Sequence, residues 1–162
     1  FSTTLIAWGQ KHRFFTRELD IAGYHFTKAI MQKRNINYNE AELIKRKDGV
    51  DSLSDEGSSS AEIDPLAIKV AESTIFNQLS DELRKTLRYY MKSSNQAFFN
   101  KFYVCGGSAY VPGLVEFIAE NLNIDIEFLN PFEGNAEFSD IENPAQYAVA
   151  FGCAIRGLVE AS

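Results

Sequence analysis

Several chemistries are missing from this sequence at the outset. Cysteine is scarce: Cys105 and Cys153 are the two thiols in 162 residues. They lie far apart in apolar surroundings, no Cys/His spacing of a metal site accompanies them, and His12 and His25 are the two imidazoles. Buried free thiols in a reducing compartment are therefore expected. No apolar run approaches the roughly 20 residues that cross a bilayer. The chain opens on Phe1-Ser2-Thr3-Thr4, without a Met or a signal peptide's basic and apolar stretches. That start is expected to be a cut inside a longer polypeptide. Positive charge is outnumbered, with 16 Lys and Arg against 22 Asp and Glu and a net charge of −6. That balance argues against a general nucleic-acid binder. No Ser/His/Asp or Cys/His arrangement has credible spacing, and no acidic cluster suggests a two-metal centre. P-loop and dinucleotide fingerprints are absent as well. Hydrolytic or nucleophilic catalysis built from this chain alone is not expected.

What is present suffices for one domain with a proper core, since 45% of the residues are hydrophobic. Leu5 and Ala7 alternate with Thr4, Ile6 and Trp8. After Gly9-Gln10-Lys11, Phe15, Arg17, Leu19 and Ile21 alternate again. This predicts two antiparallel strands joined by a tight turn, apolar on both faces and so covered on both sides. Phe26, Ile30 and Met31 recur at helical spacing between Tyr24 and Lys33. Asn39 followed by Glu42 suggests a capping box opening a second short helix to about Arg46. Lys47 to Ala61 has no periodic apolar face and is expected to be a mobile surface loop.

Asp64-Pro65 suggests the start of one long amphipathic helix carrying Leu66, Val70, Ile75, Leu79, Leu83, Leu87 and Tyr90, ending near Lys92. Lys101 to Cys105 fits a buried strand closed by Gly106-Gly107. Pro112 is expected to open a helix, Ile124 to Phe128 to form a strand, and Pro144 to start a helix that is apolar almost all round and so buried. The order β-β-α-α-loop-α-β-α-β-α predicts a mixed α/β layer fold with helices on both faces of the sheet.

Candidate sites follow from this order. Gly106 and Gly107 end a strand, where a ligand can approach backbone without meeting a Cβ, and Ser108 comes next. A structural tight turn explains the same glycines. Glu42 and Lys45 share one helix face, where the carboxylate could accept from ribose hydroxyls and the lysine stem could lie beside an adenine. A surface ion pair worth about 0–1 kcal/mol explains them equally. Ser2, Thr3 and Thr4 could offer hydroxyls to a phosphate or a metal-bound water, or simply favour a strand. Gly23, in the Asp20 to Gly23 segment, permits a tight turn or a close nucleotide approach.

Taken in order, these features resemble the second half of the actin-like ATPase fold, in particular the type IV pilus assembly family PilM and its cell-division relative FtsA. The family's phosphate hairpin Asp-x-Gly-x-x-x-Thr-Thr survives here as Ser2-Thr3-Thr4. Its Gly-Gly turn and Thr-bearing helix match Ala22-Gly23 through Thr27, with Ala22 in place of the first glycine. Its Ala-Glu-x-x-Lys helix is Ala41-Glu42-Leu43-Ile44-Lys45. The adenosine motif is Gly106-Gly107-Ser108-Ala109 followed by Pro112-Gly113-Leu114. The small-residue ending matches Tyr147 to Arg156, whose small side chains would let two helices cross near the hinge between the halves.

The resemblance implies a ribonuclease-H-like lobe over 1–23 and 66–162, and a small subdomain over 24–65 with the loop at about 47–61. The sheet would lack its first, central strand. It implies a cytoplasmic ATP-binding scaffold, peripheral to the inner membrane, with ATP and magnesium bound between two halves. Ser2, Thr3, Thr4, Gly23, Glu42, Lys45, Gly106, Gly107 and Ser108 would bind nucleotide. The implied partners are the missing N-terminal half and the cytoplasmic tail of an inner-membrane pilus protein. The 162-residue chain alone would bind ATP weakly or not at all, and would more readily be a scaffold than an enzyme. Alternatives are an FtsA-like division protein, a type II secretion cytoplasmic domain, an ATPase or sugar kinase of the same superfamily, and an interaction module without nucleotide.

Overall fold

The computed structural model describes residues 2–9, 14–53, 74–95 and 98–160. Strands β1 (Thr3–Trp8) and β2 (Phe14–Leu19) form an antiparallel hairpin, with Thr3 opposite Leu19 and Trp8 opposite Phe14. Helix α1 spans Gly23–Arg34 and α2 spans Tyr38–Asp48. A 3-10 turn, Gly49–Leu53, follows. Helix α3 covers Ile75–Ser94. Strand β3 (Phe102–Val104) leads through the 3-10 turn Gly107–Tyr110 into α4 (Leu114–Leu122). Strand β4 (Ile126–Phe128) pairs parallel with β3, and α5 (Ala148–Glu160) closes the order after the 3-10 turn Pro144–Tyr147.

Among the described residues the sheet is divided. β1 pairs with β2, β3 pairs with β4, and no ladder joins the two ribbons. A sheet missing an inner strand would be left in two such pieces. One hydrophobic core spans both parts. Leu19 of β2, Phe26 and Ile30 of α1, Ala41 of α2, Leu53, Phe76 and Leu79 of α3, and Leu114 and Ile118 of α4 are mutually packed. The Phe26 and Phe76 rings lie 4.7 Å apart at its centre. A file of aromatic contacts carries this packing across the gap: Phe15 on β2 meets Tyr90 on α3, Tyr90 stacks on Phe99, and Phe99 meets Phe102 of β3.

Local structure departs from the expectations at several points. Helix α2 is capped by Asn37, whose side chain accepts from the Glu40 N–H while Glu40 reaches back to the Asn37 N–H. The capping box thus lies two residues before the Asn39–Glu42 pair, because the backbone reaches its first helical turn at Tyr38. Gly49–Leu53, expected as the start of a surface loop, is packed, with Gly49, Ser52 and Leu53 buried. The rest of that segment, from 54, lies outside the described residues, as do Asp64-Pro65, Leu66 and Val70. Helix α3 begins at Ile75, where Thr74 is extended and its hydroxyl accepts from the Asn77 N–H, so the helix is not continuous through Thr74. Pro112 does not open α4; Gly113, at φ +72°, precedes its first residue.

Three burial expectations also change. The hairpin is covered on one face, where Phe15 and Arg17 meet α3 through Tyr89, Tyr90 and Glu82. On the other face Ile6, Trp8 and Phe14 are exposed, Trp8 by 74%. Helix α5 has no buried residue, and Leu158 is 74% exposed. It is tethered at its start, where Phe151 meets Phe132 edge-on at 5.0 Å. Cys105 and Cys153 are exposed free thiols, not buried ones. An apolar sequence can only be buried where a neighbouring element exists to cover it, and none of the described segments reaches these surfaces.

Candidate nucleotide site

The first turn of α1 sets the site. His25 Nδ1 accepts the Ala22 N–H at 3.1 Å, so the third residue of the helix caps its start. One turn later Thr27 is fully buried, and its hydroxyl lies 3.0 Å from the Gly23 carbonyl and 2.7 Å from Glu42 Oε2. Helix α2 brings Glu42 and Lys45 to that hydroxyl on one face. Lys45 Nζ donates to Glu42 Oε2 at 2.7 Å, to Thr27 Oγ1 at 2.9 Å and to the Gly23 carbonyl at 3.3 Å. Lys45 is buried, and the outer Glu42 oxygen, Oε1, accepts from the exposed Arg46 at 3.3 Å. Burial alone would raise the Glu42 carboxyl pKa. The hydrogen bonds from Lys45 and Thr27 outweigh it and hold the group below the usual carboxylate value. This is not a loose surface pair, because the ammonium is taken from water and compensated by three acceptors.

Ser108 reaches the same place from the opposite side of the chain. A Cβ on Gly23 would collide with the Ser108 hydroxyl and would lie 3.7 Å from Lys45 Nζ, so a side chain there would displace that hydroxyl from its approach. The turn that carries Ser108 is fixed at both ends. Gly106 donates its N–H to the Ala145 carbonyl at 2.9 Å, and the Ala145 N–H donates to the Tyr110 hydroxyl at 2.9 Å. Tyr110 in turn stacks on Phe128 of β4 at 5.0 Å. Gly106 has φ +97°, which a side chain rarely tolerates. Nothing approaches within 4 Å of where a Cβ on Gly106 or Gly107 would stand, so the space above the two glycines is open.

Gly23, Glu42, Lys45 and Ser108, up to 85 positions apart in sequence, thus converge with Gly106 and Gly107 beside them. Thr27, which the resemblance marked as the threonine of the helix after the turn but which was not among the expected nucleotide-binding residues, belongs to the cluster. Its signal was its position one helical turn after Gly23, which aims its hydroxyl back at that carbonyl. The hairpin hydroxyls are placed differently. Thr3 Oγ1 donates to the Ile21 carbonyl at 2.6 Å, beside the turn that leads to Gly23. The Ser2 hydroxyl donates to Glu18, and Thr4 is exposed on the uncovered face. Among the described residues no group of three His, Cys, Asp or Glu side chains could hold a metal ion. A broad open depression over Asn130, Phe132, Phe138 and Pro144 includes one ionisable side chain, Glu133, and none of the clustered residues lines it, although Pro144 adjoins Ala145, the hydrogen-bond partner of Gly106.

The divided sheet, the strand–glycine–turn and the buried Glu–Lys pair together define a partial actin-like ATPase fold. Two solved structures share it. One, a PilM-PilN type IV pilus biogenesis complex, superposes with a TM-score of 0.69 at 24% identity, over 96% of this chain and 43% of that one. The other, the ethanolamine utilization protein EutJ from Carboxydothermus hydrogenoformans, gives a TM-score of 0.56 at 14% identity, over 95% of this chain and 44% of that one. The chain therefore spans less than half the length of either. Among curated proteins none matches the sequence significantly. The family model of type IV pilus assembly protein PilM matches residues 2–158, and the chain belongs to that family.

Proposed function

We propose that this chain forms the adenosine side of an ATP cleft in a type IV pilus assembly scaffold. The observation that carries it is the convergence of Gly23, Glu42, Lys45 and Ser108 under open backbone at Gly106 and Gly107. The glycines leave room for a flat base or sugar against the chain, and the Glu42 carboxylate offers acceptors for ribose hydroxyls. Thr3 stands at the start of β1 against the Ile21 carbonyl, flanked in sequence by Ser2 and Thr4, and phosphate oxygens would lie on that side of the cleft. The residues fit an adenosine. Magnesium, which neutralises charge on the phosphates, would arrive coordinated by them, since no described cluster would hold it.

The exposed apolar surfaces support a second element of the function. Helix α5 and the outer hairpin face would be covered by another part of the polypeptide, the half that the pilus relative has beyond this chain's 43% of its length. Among the described residues no helix is long and apolar enough to cross a membrane. Membrane attachment would then come through a partner, the cytoplasmic tail of an inner-membrane pilus protein. A protein of that pathway, PilN, accompanies PilM in the solved complex.

Titration calorimetry of the full natural polypeptide with ATP and magnesium tests the cleft. Saturable binding is expected, and Gly107→Ala is expected to weaken it at least about tenfold while leaving thermal stability within about 0.5 kcal/mol. Unchanged affinity in Gly107→Ala would refute the placement of the nucleotide over this turn.

A further inference from the structure

The glycine turn is held by residues that lie outside the cluster. Gly106 and Gly107 carry no side chain, and nothing stands within 4 Å of where a Cβ would be on either. Packing from the open side therefore does not order the turn, and glycine loses more backbone freedom on folding than any other residue. Order has to come from behind. Both ends of the turn reach one residue there, Ala145, which is completely buried in the turn before α5. Gly106 donates its N–H to the Ala145 carbonyl at 2.9 Å, and the Ala145 N–H donates to the Tyr110 hydroxyl at 2.9 Å. Among the described residues the other hydrogen bonds of the turn are internal to it. They run from the Ala109 N–H to the Gly106 carbonyl at 3.1 Å and from the Val111 N–H to the Ser108 carbonyl at 3.2 Å. Such bonds close the turn on itself but do not place it. The Tyr110 ring is fixed as well, lying 5.0 Å from that of Phe128 on β4 with the planes 13° apart. A stacked ring delivers its hydroxyl to one place, and a phenol oxygen accepts as well as donates.

We propose that Tyr110 is a positioning residue of the nucleotide site: its hydroxyl holds the Ala145 peptide, Ala145 holds Gly106, and the Gly106-Gly107 backbone keeps the shape that a ligand meets. The inference rests on the nucleotide reading of the turn and adds a residue that the sequence did not single out. Tyr110 acts through Ala145 and not by contact with the ligand, because its hydroxyl is engaged by a buried peptide and one face of its ring by Phe128. Phenylalanine at this position would keep the ring and its stack but leave the Ala145 N–H without an acceptor. A buried donor left unsatisfied is costly, so the Pro144–Tyr147 turn would shift toward water. The Gly106 N–H would then lose its fixed partner.

The test is Tyr110→Phe in the full natural polypeptide, read by two measurements. Hydrogen exchange followed by NMR needs no ligand. The Gly106 amide should exchange at least about tenfold faster than in wild type, while the Ile118 amide of α4 keeps its rate, since the opening is local. Calorimetry with ATP and magnesium should show an affinity about three- to tenfold lower, the range of one hydrogen bond between neutral groups. Equal acceleration at Gly106 and Ile118 would make Tyr110 a residue of general stability and overturn the assignment. An ATP affinity unchanged in Tyr110→Phe but weakened in Tyr110→Leu would mean that the ring itself meets the ligand, and would overturn it too. Wild type that fails to bind ATP would remove the nucleotide site and this role with it, whereas exchange at Gly106 would still report the Tyr110–Ala145 contact.

Discussion

Gly49 is where the smaller helical pair meets the loop before α4, and replacing it should be the most damaging glycine substitution in the described chain. Its φ is +57°, and Val50 beside it donates its N–H to the Pro112 carbonyl at 3.0 Å. A Cβ at position 49 would stand 2.6 Å from the Pro112 carbonyl carbon and 2.8 Å from its Cα, and closer still to its oxygen. These are backbone atoms, so no rotamer change relieves the overlap. Forcing them apart costs about 1–3 kcal/mol as overpacking. The backbone conformation adds roughly 1–3 kcal/mol for a residue with a side chain, and the Val50 hydrogen bond is worth about 1 kcal/mol. Gly49→Ala is therefore expected to cost about 4 kcal/mol.

Two other glycines calibrate that figure. Gly113 also has positive φ, +72°, but a Cβ there meets only the Val50 side chain at 3.7 Å. Gly113→Ala should cost about 1 kcal/mol of conformational strain. Gly107 has neither positive φ nor a neighbour within 4 Å, so Gly107→Ala should stay within about 0.5 kcal/mol. Thermal unfolding followed by circular dichroism separates the three, since about 4 kcal/mol shifts Tm by roughly 8–16 °C in a domain of this size. A Gly49→Ala protein no less stable than Gly113→Ala would show that α2 and the Pro112 loop are not in backbone contact.

Other perturbations read other parts of the molecule. Phe76→Ala removes a fully buried ring packed on Phe26 and Phe117 and should cost about 3–5 kcal/mol by urea unfolding, whereas a loss under 1 kcal/mol would place the core elsewhere. The Glu42 carboxyl is held below 4.5 in the fold, so its ionised form stabilises the protein at every pH above that value. This contribution should fade as pH falls below 4.5 through the lowered folded value. Glu42→Gln should flatten that part of the pH–stability curve, and an unchanged slope would contradict the pairing with Lys45 and Thr27. Leu158→Ala on α5 should cost about 2 kcal/mol in the full natural polypeptide if another segment covers the helix, and only a few tenths if the side chain stays exposed there.

The sequence by itself determined the element order and the chemistry of the candidate site. Periodicity located α1, the later turns of α3 and the alternation of β1 and β2, because those patterns depend only on which face of a local element is apolar. The Gly23, Glu42–Lys45 and Gly106–Gly107 motifs were visible for the same reason: each is a short-range pattern of residue types. Tertiary structure decided what those motifs do together. Only the fold brings Ser108 against Gly23, and only the count of acceptors around Lys45 shows that its protons are already used. Burial was likewise not a local property. Helix α5 and the outer hairpin face have the composition of core, yet they lie exposed, because hydrophobicity states a preference and a neighbouring element must be present to satisfy it.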